Sequence, residues 1–168
     1  MNKFRNTIRL LVAAIVIAAP ILGYAEDKMD NMDGKKMDDS ALMQPVKSVY
    51  DNYLKIQTEL VKDSLKGVAD NAAAIAKAVR GDEMKMLPSE VATQADALAQ
   101  AKDLKSAREA FKTLSTSLIK YLADNKAGKG VYHEVYCPMA KASWLQSGKD
   151  IKNPYLGKEM PDCGDLKN

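Results

Sequence analysis

Residues 103–122 read DLKSAREAFKTLSTSLIKYL. Leu104, Ala107, Phe111, Leu114, Leu118, Tyr121 and Leu122 recur at steps of three and four, the spacing of a helix that buries one face. Asp103 stands where an N-cap belongs, and Asp124-Asn125 and Gly128 close the run. Working backward, Val46, Val49, Tyr50, Tyr53, Leu54, Gln57, Leu60 and Val61 form a first stripe behind Pro45, which suits a first-turn position. Around Asp63-Ser64 the stripe restarts as Leu65, Val68, Ala72, Ile75, Ala76 and Val79, with Gly81 placed for a left-handed C-cap. These two stripes read as one bent helix or two. A weaker, Ala-rich third segment follows Pro88-Ser89 through Val91, Ala95, Leu98 and Ala101. Four amphipathic segments joined by short turns predict an all-α fold, an antiparallel four-helix bundle. Tyr50, Tyr53, Phe111 and Tyr121 are expected in its core or at its edge.

Composition agrees with helices. Aromatic residues make up 6% of the 168 residues, with one Trp and two Phe, too few for a large all-β core. The formal net charge of +3 includes Lys3, Arg5 and Arg9 of an N-terminal segment expected to be removed; without them 22 basic residues face 22 acidic ones. A neutral chain with no basic block lacks the electrostatic footprint of a nucleic-acid binder.

That N-terminal segment, residues 1–25, has a charged start (MNKFRNTIR), an apolar run (LLVAAIVIAAPILG) and small residues at Gly23 and Ala25, the layout of a cleaved signal peptide. The apolar run is short of the ~20 residues a membrane span needs and is broken by Pro20, so no stable anchor is expected after cleavage. The mature protein is expected in the periplasm. Residues 26–44, EDKMDNMDGKKMDDSALMQ, are too polar to build a core and read as a disordered Met/Asp-rich arm. Its Met29, Met32, Met37 and Met43 have no core to fill. Their thioethers are the donors that select Cu(I) over hard cations.

Beyond Gly130 the composition changes. Both cysteines, the only His and the only Trp fall between Val131 and Gly164, and residues 131–164 read as a small irregular C-terminal cap on the bundle (domain limits 45–168). Residues 131–136 alternate as a short strand, Cys137-Pro138-Met139 makes a turn, Ala140 to Gln146 is expected as a short helix, and Asn153-Pro154-Tyr155 is another turn. Trp144, Leu145 and Tyr155 are expected to cover the junction of cap and bundle.

Two soft-donor pairs frame this cap, Cys137-x-Met139 and Met160-x-x-Cys163, and thiolate with thioether prefers Cu(I) or another soft ion. His133 ranks behind them, because four residues of strand separate it from Cys137 by ~13 Å. The competing reading of Cys137 and Cys163 is a disulfide, common in exported chains with two Cys and worth ~3 kcal/mol for a loop of this length. Thiol exchange between the two is a further reading, although no Cys-x-x-Cys is present to lower a thiol pKa in the usual way. An enzyme is not expected: one His without a nucleophile pattern, no carboxylate pair and no Gly-rich phosphate loop leave no assembled acid, base or nucleophile.

Residues 136–164, YCPMAKASWLQSGKDIKNPYLGKEMPDCG, resemble the signature of an uncharacterised periplasmic family. This is a domain of unknown function found alone or appended to the periplasmic adaptor subunits of copper and silver efflux systems. The resemblance extends to the Tyr-bearing helix Val49 to Leu60 and to Arg108, Phe111, Leu114 and Ser115, and leaves the arm before Pro45 outside. It implies heavy-metal handling, with an efflux adaptor or another periplasmic metal-handling protein as partner, and supplies no ligand set. The expectation is therefore a periplasmic copper-binding or carrier protein using Cys137, Met139, Met160, Cys163 and secondarily His133, with the Met arm as a capture element. The alternative is a disulfide-capped helical module that docks on an envelope protein through the face around Trp144 and Tyr155, with no metal role.

Overall fold

The computed structural model describes residues 42–167. Residues 1–25, read above as a signal peptide, and most of the segment read as a Met/Asp-rich arm, with Met29, Met32 and Met37, lie outside the described residues. Four helices form where the apolar periodicity lies: α1 (Val46–Val61), α2 (Val68–Arg80), α3 (Glu90–Ala99) and α4 (Leu104–Asn125). α1 and α2 are two helices, not one bent helix. Asp63 at φ 56° and Gly67 at φ 70° turn the chain between them, and left-handed backbone ends a right-handed helix. Gly81 does not adopt the expected left-handed cap, since its φ is −84°. Asp103 caps α4 in a reciprocal capping box with Ser106, which satisfies two of the amide groups a helix start leaves orphaned.

The all-α expectation is overturned by a three-stranded antiparallel sheet in the order β2–β1–β3, formed by β1 (His133–Cys137), β2 (Ala142–Gln146) and β3 (Asp165–Leu166). The domain is mixed α and β with a helical bulk. The segment read as a short helix from Ala140 is strand because it closes a hairpin. Residues 138–141 form the turn, with Lys141 at φ 50°, and the register pairs Cys137 with Ala142 and His133 with Gln146. β3 pairs with the other edge of β1, placing Leu166 opposite Val135.

The sheet is not an end cap. β2 packs on α4 and α1, and its neighbours Trp144 and Leu145 are both buried. Adjacent strand residues point to opposite faces, so β2 is covered on both sides. An aromatic column runs through the seam: Tyr132 on Tyr50, Tyr50 on Tyr53, Tyr53 stacked on Phe111 at 4.7 Å, Phe111 on Tyr155, and Tyr155 edge-on to Trp144 at 5.8 Å. The hydroxyls fasten it: Tyr50 donates to the Leu118 carbonyl, Tyr53 accepts the Leu145 N–H and pairs with the Ser115 hydroxyl, and Tyr155 donates to the Ser143 carbonyl. Tyr50, Tyr53 and Phe111 are core as expected, whereas Tyr121 is half-buried. Among the described residues no helix is long and apolar enough to cross a membrane.

Candidate functional site

The return loop from Gly148 to Gly164 carries Cys163 back to Cys137, and three anchors hold it. The first is Gln146, whose carboxamide oxygen accepts from the Trp144 indole and the Lys152 N–H while its nitrogen donates to the Gly148 and Asp150 carbonyls. The second is Arg108 on α4. It donates from Nε to the Pro154 carbonyl and from Nη2 to the Leu60 carbonyl and, at 2.5 Å, to Asp63 Oδ1. Asp63 in turn accepts the Lys158 N–H. A side chain at Gly157, φ 55°, would collide with both charged groups, so the chain needs glycine there.

The third anchor is Asn153, which is fully buried. Its Oδ1 accepts the N–H groups of Tyr155 at 2.8 Å and Leu156 at 3.0 Å, its Nδ2 donates to the Cys163 carbonyl at 2.7 Å, and its backbone N–H donates to the Pro161 carbonyl. Asn153 thus grips the Met160–Cys163 turn from both sides. Gly164, next in the chain, lies so close to β1 and β2 that a Cβ would stand 2.8 Å from Val135 Cγ1 and 2.9 Å from Trp144 Cη2.

The result is that Cys137 Sγ and Cys163 Sγ lie 2.9 Å apart, both as free thiols. Cys137 closes β1 and is fully buried, and its sulfur accepts the Ala140 N–H at 3.4 Å. Cys163 is half-buried. Burial pushes the Cys137 thiol up, but hydrogen bonds from Cys163, the Ala140 N–H, the Asn153 amide and the Met139 N–H outweigh it, and the thiol ends below its ordinary value. Cys163 moves the other way, chiefly because it donates to Cys137, with burial and the nearby negative charge of Asp162 adding to the rise. Of the two, Cys137 is the one whose surroundings favour the thiolate and Cys163 the one whose surroundings favour the thiol.

The other expected donors are arranged differently. Met139 sits in the hairpin turn, is 67% exposed, and lines a shallow groove with Lys105, Arg108, Lys112 and Tyr155. Met160 opens the turn that Cys163 closes, and is 39% exposed. His133 lies at the opposite end of β1 from Cys137, across from Gln146, ~13 Å away along an extended chain. Met43 precedes α1 and is exposed. Among the described residues no three His, Cys, Asp or Glu side chains gather as a metal site. Trp144 and Tyr155 are buried in the seam between sheet and helices.

Asn153 and Gly164 are the positions that sequence reasoning did not single out. Asn-Pro-Tyr carried a signal for the first, since an Asn before a turn commonly bonds backbone amides just ahead of it.

No curated protein and no solved structure matches the chain. A family model described as a protein of unknown function, DUF3347, matches residues 49–130, from within α1 to just past α4, and stops short of β1 and both cysteines. Residues 49–130 are thus similar to that uncharacterised family.

Proposed function

We propose that this protein is an exported, periplasmic binder or carrier of Cu(I) or a comparable soft ion. Its thiolate ligands are Cys137 and Cys163, and the nearby thioethers of Met139 and Met160 are secondary donors. The observation that carries the reading is the meeting of the two sulfurs at 2.9 Å, with Cys137 held toward the thiolate form by the hydrogen bonds around it. Sulfur donors prefer Cu(I) to hard cations, which need oxygen-rich shells of six or more ligands. A pair of thiolates suits an ion that accepts low coordination. Transfer proceeds by ligand exchange: Met139 and Met160, both partly exposed, give a partner's donors access to the ion before the thiolates release it. The N-terminal Met residues extend the same chemistry, and an efflux adaptor or another periplasmic metal-handling protein is the partner this reading implies.

Anaerobic titration of the reduced full chain with Cu(I), in competition with a chromophoric chelator, tests it. One tightly held equivalent is expected, and Cys137→Ser with Cys163→Ser together should weaken it by ~100-fold or more. Unchanged affinity in that double variant overturns the thiolate assignment.

The same sulfur contact favours a second reading, in which the two cysteines are bridged and the domain is a disulfide-capped interaction module. That reading expects the native protein, isolated without reductant, to carry no free thiol and to bind no Cu(I) even after gentle reduction.

A further inference from the structure

The two sulfurs touch but sit on unlike supports. Cys137 belongs to the central strand of the sheet, flanked by β2 and β3, and has no exposed surface. Cys163 sits in a turn held by the Met160 carbonyl and the Asn153 amide, ahead of a strand of two residues. Their separation of 2.9 Å lies between two bonded states. A disulfide requires ~2.05 Å. Two thiolates on one ion, with metal–sulfur bonds of ~2.3 Å, lie ~3.8 Å apart at a tetrahedral angle and ~4.6 Å apart in line. Bridging and ion binding thus pull the pair in opposite directions, and Cys163, half-buried in its turn, is the member a partner can reach.

We propose that Cys137 and Cys163 form a thiol–disulfide exchange site entered at Cys163, and that its oxidation by a disulfide-bearing partner closes the site to soft ions. The second half rests on the copper reading above; the first does not.

The chemistry follows the geometry. Cys163 passes its proton to the Cys137 sulfur along the existing hydrogen bond. The Cys163 thiolate then attacks one sulfur of the partner's disulfide. A new S–S bond forms, the partner's S–S bond breaks, and the departing thiolate takes the proton from Cys137. The Cys137 thiolate next attacks the Cys163 sulfur, forming the internal disulfide and expelling the partner's second sulfur as thiolate. From one thiolate and one thiol the products are the protein disulfide, one partner thiol and one partner thiolate: the protein loses two electrons and the partner disulfide gains them. The Ala140 N–H, 3.4 Å from the Cys137 sulfur, is in place to donate to the thiolate that the second attack requires.

Oxidised glutathione serves as the disulfide probe on the full chain. With Cys137→Ser, Cys163 should form the mixed disulfide at least ~10-fold faster than Cys137 does with Cys163→Ser, both followed by intact mass. In the unmodified protein the internal disulfide should replace any mixed species, and Cu(I) affinity should fall by ~100-fold and return on reduction. Differential alkylation of the unmodified protein gives the same order of reactivity without relying on the variants' folding. Equal or faster reaction at Cys137, or a mixed disulfide that accumulates, overturns the exchange order. Oxidised protein that binds Cu(I) as tightly as reduced protein overturns the gate. An internal disulfide formed in a protein that never binds Cu(I) sinks the copper reading and the gate with it, and leaves the exchange site standing.

Discussion

Asn153→Ala removes the residue that joins the return loop to itself. Its side chain satisfies the N–H groups of Tyr155 and Leu156 and the carbonyl of Cys163, and the site is fully buried. A buried backbone group left without a partner costs about 1–3 kcal/mol. The Tyr155 amide is enclosed, whereas Cys163 and Leu156 are only half-buried and recover part of their hydration. The expected loss is therefore ~3 kcal/mol, a large share of the 5–15 kcal/mol that holds a typical domain together. With a urea slope of ~1.5–2 kcal/mol/M for a domain of this size, the unfolding midpoint falls by ~1.5–2 M at unchanged slope. The measurement is made under reductant, so that no covalent link masks the loop. The same variant frees the turn that holds Cys163, and alkylation of that thiol should accelerate. A midpoint shift below ~0.5 M with unaltered Cys163 reactivity refutes the reasoning, because it would mean the loop is positioned without this side chain.

Two further perturbations follow. The hydrogen bond from Arg108, backed by the Lys158 N–H, holds the Asp63 carboxyl below its ordinary value. Its stabilising contribution is complete above the unfolded-state value of about 3.9 and is lost as pH falls through the lower folded-state value. Asp63→Asn should therefore flatten the stability–pH curve in that acidic window, read by urea unfolding at successive pH values; a slope equal to the parent's contradicts this. Gly164→Ala should lower stability by ~2 kcal/mol through overpacking against Val135 and Trp144. It should also slow formation of the internal disulfide, measured as loss of thiols in oxidised glutathione; wild-type rates would show that Gly164 does not set the approach of the two cysteines.

The helices were readable because their signals are local. Phe111, Leu114 and Leu118 repeat at helical steps, and Asp103 with Ser106 forms a box that two side chains complete within one turn. The sheet was only half readable. Residues 131–136 alternate, and β1 forms there, but residues 140–146 contain Ala, Lys, Leu and Gln, all good helix formers. Pairing with β1, and burial of Trp144 and Leu145 on opposite faces, outweighed that weak preference. β3 has two residues and carries no periodicity to detect. At the candidate site, the soft-donor character of the two cysteines was visible in the chain, but their approach was not. A separation of 26 residues is compatible with many geometries, and contact here depends on Asn153 holding the Cys163 carbonyl and on the absent side chain of Gly164. Strand geometry alone placed His133 away from Cys137, and β1 keeps the two at opposite ends.

The brevity of β3 has a consequence for how the two sulfurs meet. Cys137 closes the central strand, paired with Ala142 of β2; Cys163 rides on a segment that meets the sheet at the Cys137 sulfur, at Gly164 against Val135 and Trp144, and through Asp165, Leu166 and the Lys167 N–H. β3 contributes only two residue pairs to that contact, so where Cys163 comes to rest is decided by Asn153 and by the missing side chain of Gly164 more than by strand pairing.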